Sequence, residues 1–300
     1  MTTGLTEPQT STWSTRLVDY LSLTKPAIVA LLLLTTLCGM VIAIGGLPPL
    51  ATVGLTLLGG GLTAGGAGAL NQYIDRGIDR RMVRTMRRAL PDQRIRPVEG
   101  LLFGLAMCVA GLAVLAIGVN LLSAILSLAG IIYYAVLYTV LLKPSTPQNI
   151  VVGGGAGALP PLVGWAAATG SLSLPAFFLF AVIFFWTPPH FWALALLKRS
   201  DYARAGIPML PVVSGEVETH RQILLYSLQL VALTALLPLV GLGGGLYLTA
   251  ALLLGIGLVR HAWILQRRGG NRFAWRMYRY SSLYLAGIFL ALAADAVLIG

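Results

Sequence analysis

Apolar residues run along this chain in long blocks, with neither the alternation of a half-buried strand nor the every-third-or-fourth pattern of a surface helix. Nine blocks of near 20 residues are separated by short polar or glycine-rich breaks. They lie at about 26–45, 49–72, 98–118, 121–142, 150–168, 174–196, 221–241, 243–264 and 279–299. A helix of that length crosses a hydrocarbon core of roughly 30 Å, and a helix satisfies its own backbone polar groups, as lipid demands. The pattern predicts an all-α integral membrane protein, a bundle of nine transmembrane helices. The long stretches 98–142 and 221–264 each divide in two, at Asn120 with its flanking leucines and at GLGGG, 241–245.

Composition and charge sharpen this. The 300 residues are 57% hydrophobic and 10% charged, against about 25% charged in soluble domains. Across nine spans, all 21 Lys and Arg fall on one face. They lie before the first span, between the second and third, fourth and fifth, sixth and seventh, and near the eighth–ninth connection. The opposite connections, such as IGGLPPL and ATGSLSL, carry none. The positive-inside rule makes the basic face cytoplasmic, with the N-terminus inside and the C-terminus outside. The net charge of +11 is thereby explained by topology and by attraction to anionic lipid, and no nucleic-acid partner is expected.

The expected organisation is a cytoplasmic tail over 1–22 and a single membrane domain over 23–300, with cytoplasmic connections near 73–97, 197–220 and 265–278. The N-terminal segment lacks a signal peptide's apolar core, so the first span reads as an uncleaved anchor. The first two connections follow the second and sixth spans. Each mixes acid with base (DRGIDRRMVRTMRR and KRSDYARAG) and continues into a Leu-Pro pair, Leu90–Pro91 and Leu210–Pro211. That parallel points to an internal duplication. Cys38 and Cys108 sit inside apolar blocks and read as small buried residues. The glycines at 59–61, 65, 66 and 68 read as close helix packing; no GKS or GKT follows them to make a phosphate-cradling loop.

Candidate chemistry collects at the end of the second span, in NQYIDRGIDRRMVR. Asn71, Asp75 and Asp79 are spaced by four. Each such step along an α-helix advances about 6 Å and overshoots a turn by about 40°, so the three line one face. Like charges at this spacing are mildly destabilising, which calls for positive charge between them. Two readings are open. In one, the acids pair with Arg76, Arg80 and Arg84, which repeat every four on the neighbouring stripe. In the other they hold Mg²⁺, which takes one or two carboxylates and completes its shell with water and substrate phosphate. Arginines would then meet the diphosphate. Asp201 is either the counterpart for a second Mg²⁺, with Lys198 and Arg199 neutralising remaining charge, or an ordinary loop acid. His190 follows Pro188–Pro189 within the sixth span. A proline pair can open a cavity in a membrane helix, and an intramembrane ionisable residue is a functional candidate; a buried hydrogen-bonding role is the alternative.

NQYIDRGIDRRMVRT fits the pattern NxxxDxxxDxxxxRT. With nine spans and a second acidic loop, it resembles the UbiA-type intramembrane prenyltransferase superfamily, which includes 4-hydroxybenzoate polyprenyltransferase. Two longer stretches, YTVLLKPSTPQNIVVGGGAGALPPLVGW (138–165) and WTPPHFWALALLKRSDYARAGIPMLPV (186–212), are similar more narrowly to the protoheme IX farnesyltransferase (haem O synthase) family. The resemblance runs from about Leu23 onward. It implies transfer of the farnesyl group of farnesyl diphosphate to a vinyl group of haem B, with water addition, giving haem O and diphosphate. It implies Mg²⁺, with Mn²⁺ as a substitute, held by Asn71, Asp75, Asp79 and Asp201, of which the three aspartates are catalytic. It implies diphosphate bound by Arg84, Arg88, Tyr138, Lys143 and Lys198, and haem met by His190. The implied setting is the bacterial inner membrane, with lipid, a haem A synthase or a terminal oxidase assembly protein as partners. This sequence departs from the family in carrying Ser200 where relatives often have a second acid, and Ala89 where RTxxRPLP has proline. An aromatic acid or quinone precursor as acceptor would keep the same metal site. A transporter would also use paired acids near broken helices, but these acids lie at helix ends rather than at the membrane midplane.

Overall fold

The structure, a computed structural model, describes residues 13–298. These residues form helices joined by short turns, with no strand among them. Helix α1 (Trp13–Leu23) lies in the segment expected to be a tail. It is followed by α2 (Pro26–Ile44), α3 (Leu50–Asp79), α4 (Pro97–Gly118) and α5 (Leu121–Ile132), the last running on as a π-helix over Tyr133–Leu142. Three short helices, α6 (Asn149–Gly153), α7 (Gly155–Ala158) and α8 (Pro160–Thr169), make one broken segment. Then come α9 (Leu174–Leu197), the short α10 (Arg199–Ala205) and α11 (Leu210–Val213), and α12 (Gly215–Ala235). A 3₁₀ turn at Leu237–Val240 leads to α13 (Gly245–Arg268) and α14 (Asn271–Leu298).

Among the described residues, eight segments are long and apolar enough to cross a membrane: α2, α3, α4, Leu121–Leu142, Asn149–Thr169, α9, α13 and α14. The position expected for a seventh span holds α12, which begins earlier, at Gly215, and stops at Ala235 rather than 241. Its first two turns, GEVETHRQ, are polar, and Pro238 soon after its end cannot continue an α-helix. Helix α3 outruns its expected end at residue 72 and continues to Asp79, since nothing in NQYIDRGID breaks a helix. The connection expected over 265–278 shrinks to Gly269–Gly270. Both glycines have positive φ, 61° and 84°, a conformation glycine adopts without steric cost, so α13 and α14 reverse within two residues.

Small residues set the helix spacing. A Cβ added at Gly66 on α3 would lie 2.6 Å from Cys108 Sγ and 2.7 Å from the Gly104 carbonyl on α4. One at Gly164 on α8 would lie 2.0 Å from the Thr36 carbonyl on α2. Without a hydrophobic drive between helices in lipid, such close approach is a main source of association. Cys38 and Cys108 are buried and free. Helix α9 packs against α8, α12 and α14 and sends Leu179, Val182, Trp192 and Ala193 into the main core. A smaller cluster of Leu23, Ala69, Ala89, Leu90 and Ile95 ties the segment after α3 to the end of α1. Ala89, fully buried there, occupies the position where the family pattern has proline. This anchor sets where Arg84 and Arg88 can reach.

Candidate active site

Asn71, Asp75 and Asp79 are all buried at the end of α3, each 2–3% exposed. Each meets one basic side chain, and each base comes from a different element. Lys143 Nζ, at the end of the π-helix, lies 2.6 Å from Asp75 Oδ2. Arg88 Nη1, in the loop after α3, lies 2.8 Å from Asp79 Oδ2. Lys25 Nζ, immediately before α2, donates to Asn71 Oδ1 at 2.5 Å and to the Tyr134 hydroxyl at 3.0 Å. Asn71 Nδ2 donates in turn to Asp75 Oδ2 at 2.8 Å and to Thr139 Oγ1 at 3.0 Å.

The expected arginine stripe does not form. Helix α3 ends at Asp79, so Arg80 and Arg84 leave its helical register. Arg76 turns back to the Tyr73 carbonyl and stacks on its ring, and Arg80 donates to the Pro91 carbonyl. Buried carboxylates need partners, and the tertiary structure supplies them from Lys143 and Arg88.

The π-helix brings Lys143 to Asp75. Lys143 N–H donates to the Tyr138 carbonyl five residues back, at 2.8 Å. The Thr139 hydroxyl donates to the Tyr134 carbonyl, also five back, at 2.7 Å. The wider turn displaces Lys143 from the direction an α-helix would give it.

On the facing side, Asp201 is buried on α10, with Arg204 Nη1 3.4 Å from Oδ1. Ser200 beside it is exposed. The neighbouring Tyr202 is buried, with Arg84 and Arg88 near it. Burial raises the Tyr202 phenol above its ordinary pKa, while the positive charges of Arg84 and Arg88 pull it back. Arg88 thus pairs with Asp79 and also acts on Tyr202, so a basic group lies between the α3 acids and the wall that α10 forms. Among the described residues, no three His, Cys, Asp or Glu side chains stand close enough to share one ion. A cation between the walls would draw the rest of its shell from substrate and water. The donors suit Mg²⁺: they are oxygens, and Asp75 Oδ1 is buried with no hydrogen-bond partner. Lys198 caps the end of α9, beside α10.

Beside this charged group lies a cavity of about 460 Å³, within the range of small-molecule sites. Lys25, Tyr134 and Tyr138 line it next to the α3 acids, and Trp186, His190 and Tyr278 line it from α9 and α14. His190 is stacked between Trp186 and Tyr278, at centroid distances of 4.2 and 4.6 Å. Its Nδ1 lies 2.8 Å from Ser281 Oγ, and that hydroxyl gives its proton to the Tyr278 carbonyl. With that proton on the carbonyl, Ser281 accepts from a His190 Nδ1–H, the tautomer that leaves the lone pair on Nε2.

Lys25, Thr139 and Tyr202 escaped the sequence reading. Lys25 looked like one more cytoplasmic-side charge; its place before Pro26 at the first span was the available signal. Thr139 had none, because a π-helix sets its facing.

The UbiA prenyltransferase family profile matches residues 32–291. A protoheme IX farnesyltransferase of Roseiflexus sp. (strain RS-1) is 52% identical over 281 residues, which cover 94% of this chain and 53% of that protein. The chain thus spans about half the length of that relative and of others like it. A protoheme IX farnesyltransferase of Symbiobacterium thermophilum is 50% identical over 279 residues, covering 92% of this chain and 93% of that one. Among solved structures, that of a digeranylgeranylglyceryl phosphate synthase has a TM-score of 0.78 at 17% identity, covering 94% of this chain and 99% of the other. A UbiA homologue from Archaeoglobus fulgidus, bound to GPP and Mg²⁺, has a TM-score of 0.63 at 18% identity, covering 91% and 99%. At those identities the likeness speaks for the fold alone. The sequence match runs from the first span into the last and reaches half identity with a relative of similar length: the chain belongs to the UbiA prenyltransferase family.

Proposed function

We propose that this protein transfers the farnesyl group of farnesyl diphosphate to a vinyl group of haem B. The observation that carries the reading is a buried group of acids and bases opening onto an apolar cavity that is also lined by a histidine. Half identity to protoheme IX farnesyltransferases supports the choice of acceptor. In this reading Asn71, Asp75, Asp79 and Asp201 hold Mg²⁺, or Mn²⁺ in its place, and the bound ion supplies positive charge against the leaving diphosphate. Arg84, Arg88, Lys143 and Lys198 bind diphosphate oxygens, with the Tyr138 hydroxyl as a further donor.

The farnesyl C1–O bond breaks and its electron pair leaves with diphosphate. The terminal vinyl carbon of haem forms the new C–C bond to the allylic cation, and water adds to the inner vinyl carbon with loss of a proton. The apolar walls keep water from the cation before the vinyl group reaches it. The Tyr134 and Tyr138 rings, stacked with centroids 5.8 Å apart on the cavity wall, offer negative faces to a passing cation. His190 Nε2 ligates the haem iron while Nδ1–H is held by Ser281, the usual arrangement for a metal-bound histidine.

We also infer nine crossings. The apolar part of α12 and the following 3₁₀ turn, Ile223–Val240, make the remaining span. A count of nine keeps the basic connections on one face, which supports an N-terminus inside and a C-terminus outside in a bacterial inner membrane.

The test uses purified protein with haem B, farnesyl diphosphate and Mg²⁺. Mass spectrometry should find haem heavier by a farnesyl group and a hydroxyl group. Unchanged haem would remove the acceptor assignment. In His190→Phe, haem binding followed by its Soret band should weaken while farnesyl diphosphate binding holds.

A further inference from the structure

We propose that Lys25 is a working part of the diphosphate site: its ammonium holds the Asn71 carbonyl oxygen while the site is free of substrate, and passes to the diphosphate when metal and prenyl diphosphate arrive together. The proposal rests on the prenyl diphosphate reading above.

The Asn71 amide can take only one orientation. The Thr139 hydroxyl has spent its proton on the Tyr134 carbonyl, so it accepts from Asn71, and the Asp75 carboxylate also only accepts. Both therefore face Nδ2. The remaining atom, Oδ1, is the only one in this amide that can bind a cation, and Lys25 Nζ sits 2.5 Å from it. A divalent ion on Asn71 would share that oxygen with the ammonium, and repulsion between the two cations favours the ammonium's release.

The chain reaches that position with difficulty. Lys25 has φ 54° and ψ 59°. It is one of two non-glycine residues with positive φ among those described, and it stands directly before Pro26, which narrows backbone choice further. Non-glycine residues held in that region mark places where the surroundings over-determine the conformation, and these gather at functional sites. Here the strained backbone aims the side chain across to α3. The ammonium also lines the apolar cavity and lies 5.4 Å from the Tyr134 ring centre. It stands at the border between the acids and the space a prenyl chain would fill, where the diphosphate would meet C1.

Charge explains the exchange. Asp75 and Asp79 face Lys25, Lys143 and Arg88, two negative groups against three positive ones. A bare divalent ion is repelled by that surplus. A diphosphate brings the missing negative charge, and its oxygens take over the bases that the ion releases. Metal and diphosphate should therefore each raise the other's affinity by the same factor, as linkage requires.

Binding of Mn²⁺ to the purified full chain in detergent, read by electron paramagnetic resonance with and without inorganic pyrophosphate, tests this without turnover. Free Mn²⁺ is corrected for its complex with pyrophosphate. In the parent protein pyrophosphate should tighten Mn²⁺ binding. In Lys25→Met and Lys25→Gly, Mn²⁺ alone should bind more tightly than in the parent, and the gain from pyrophosphate should fall roughly tenfold, the worth of one charged hydrogen bond. Lys25→Arg should keep most of the gain. The glycine variant removes the ammonium while easing the backbone, so lost folding cannot mimic the result. Equal coupling in the parent and in both deletions of the charge would overturn the role of Lys25 alone. A parent protein in which pyrophosphate never tightens Mn²⁺ would overturn the diphosphate reading itself.

Discussion

Asp75 has two oxygens in different situations. Oδ2 is shared by Lys143 and Asn71, and Oδ1 is buried and unpartnered. The first fixes the side chain and the second is ready for a cation. Asp75→Asn should lower farnesyl transfer by roughly 100-fold, the scale of losing one preorganised charge contact, measured as haem product per folded protein. It should also lower thermal stability, because Lys143 would keep its buried charge without an anion. Removing one partner of a buried pair costs about 3–5 kcal/mol. Adding Lys143→Met to Asp75→Asn should restore much of the stability and none of the turnover. A double variant as unstable as the single one would mean that the pair is not the source of the loss. The spacing of Asn71, Asp75 and Asp79 was legible in the sequence, because a helix repeats its faces on a fixed period. Their partners were not: Arg76, Arg80 and Arg84 share the spacing, yet the helix ends before two of them can use it.

At the scale of elements, the π-helix at Tyr133–Leu142 sets the site. No proline or glycine interrupts YYAVLYTVLL, so nothing in the sequence marks the wider turn. Deleting Leu141, which is exposed, should rotate Lys143 by about 100° relative to α5 and separate it from Asp75. Transfer should be lost with the helix content by circular dichroism unchanged; retained activity would show that Lys143 needs no such placement. The outer end of the bundle depends on a cap borrowed from a neighbour. Asp295 on α14 accepts from the backbone N–H of Gly244 at 2.5 Å and of Tyr247 at 3.0 Å, at the start of α13. Asp295→Ala should cost about 1–2 kcal/mol, as losing an N-cap does, seen as a lower melting temperature in detergent with the Mn²⁺ affinity unchanged. From sequence Asp295 was an isolated acid near the chain end, because its partner lies about fifty residues away and only the α13–α14 pairing joins them.

For the whole molecule, the one-sided distribution of Lys and Arg fixes an expected orientation. Single cysteines in a Cys38→Ala, Cys108→Ala background report it. A cysteine at Ser145 should be blocked by a membrane-impermeant reagent only after the cell membrane is opened, and one at Ser171 in intact cells whose outer barrier is permeable. The reverse pattern would invert the topology. Interior packing follows the small residues at the α3–α4 and α2–α8 contacts. The glycines of α3 were read correctly as packing positions at 59, 65, 66 and 68, where an added Cβ would come within 3.3 Å of another segment. Gly60 and Gly61 meet only Leu33 at ordinary contact distance, and Gly60 lines the cavity instead.

The sequence alone determined that this is a helical membrane protein, roughly where its spans lie, and that an Asn and two Asp share one helix face. These are local properties: apolar run length, charge placement and helical period act over a few turns and can be read along the chain. Tertiary structure decided which base meets which acid, the stacking of His190 between Trp186 and Tyr278, and the presence of Lys25 at Asn71. Each depends on segments that lie far apart in the chain and meet only when the bundle packs. The physical reason is burial. Once Asp75 and Asp79 are taken out of water, their charges must be answered by whatever bases the surrounding helices carry to that spot, and only the packed bundle determines which those are.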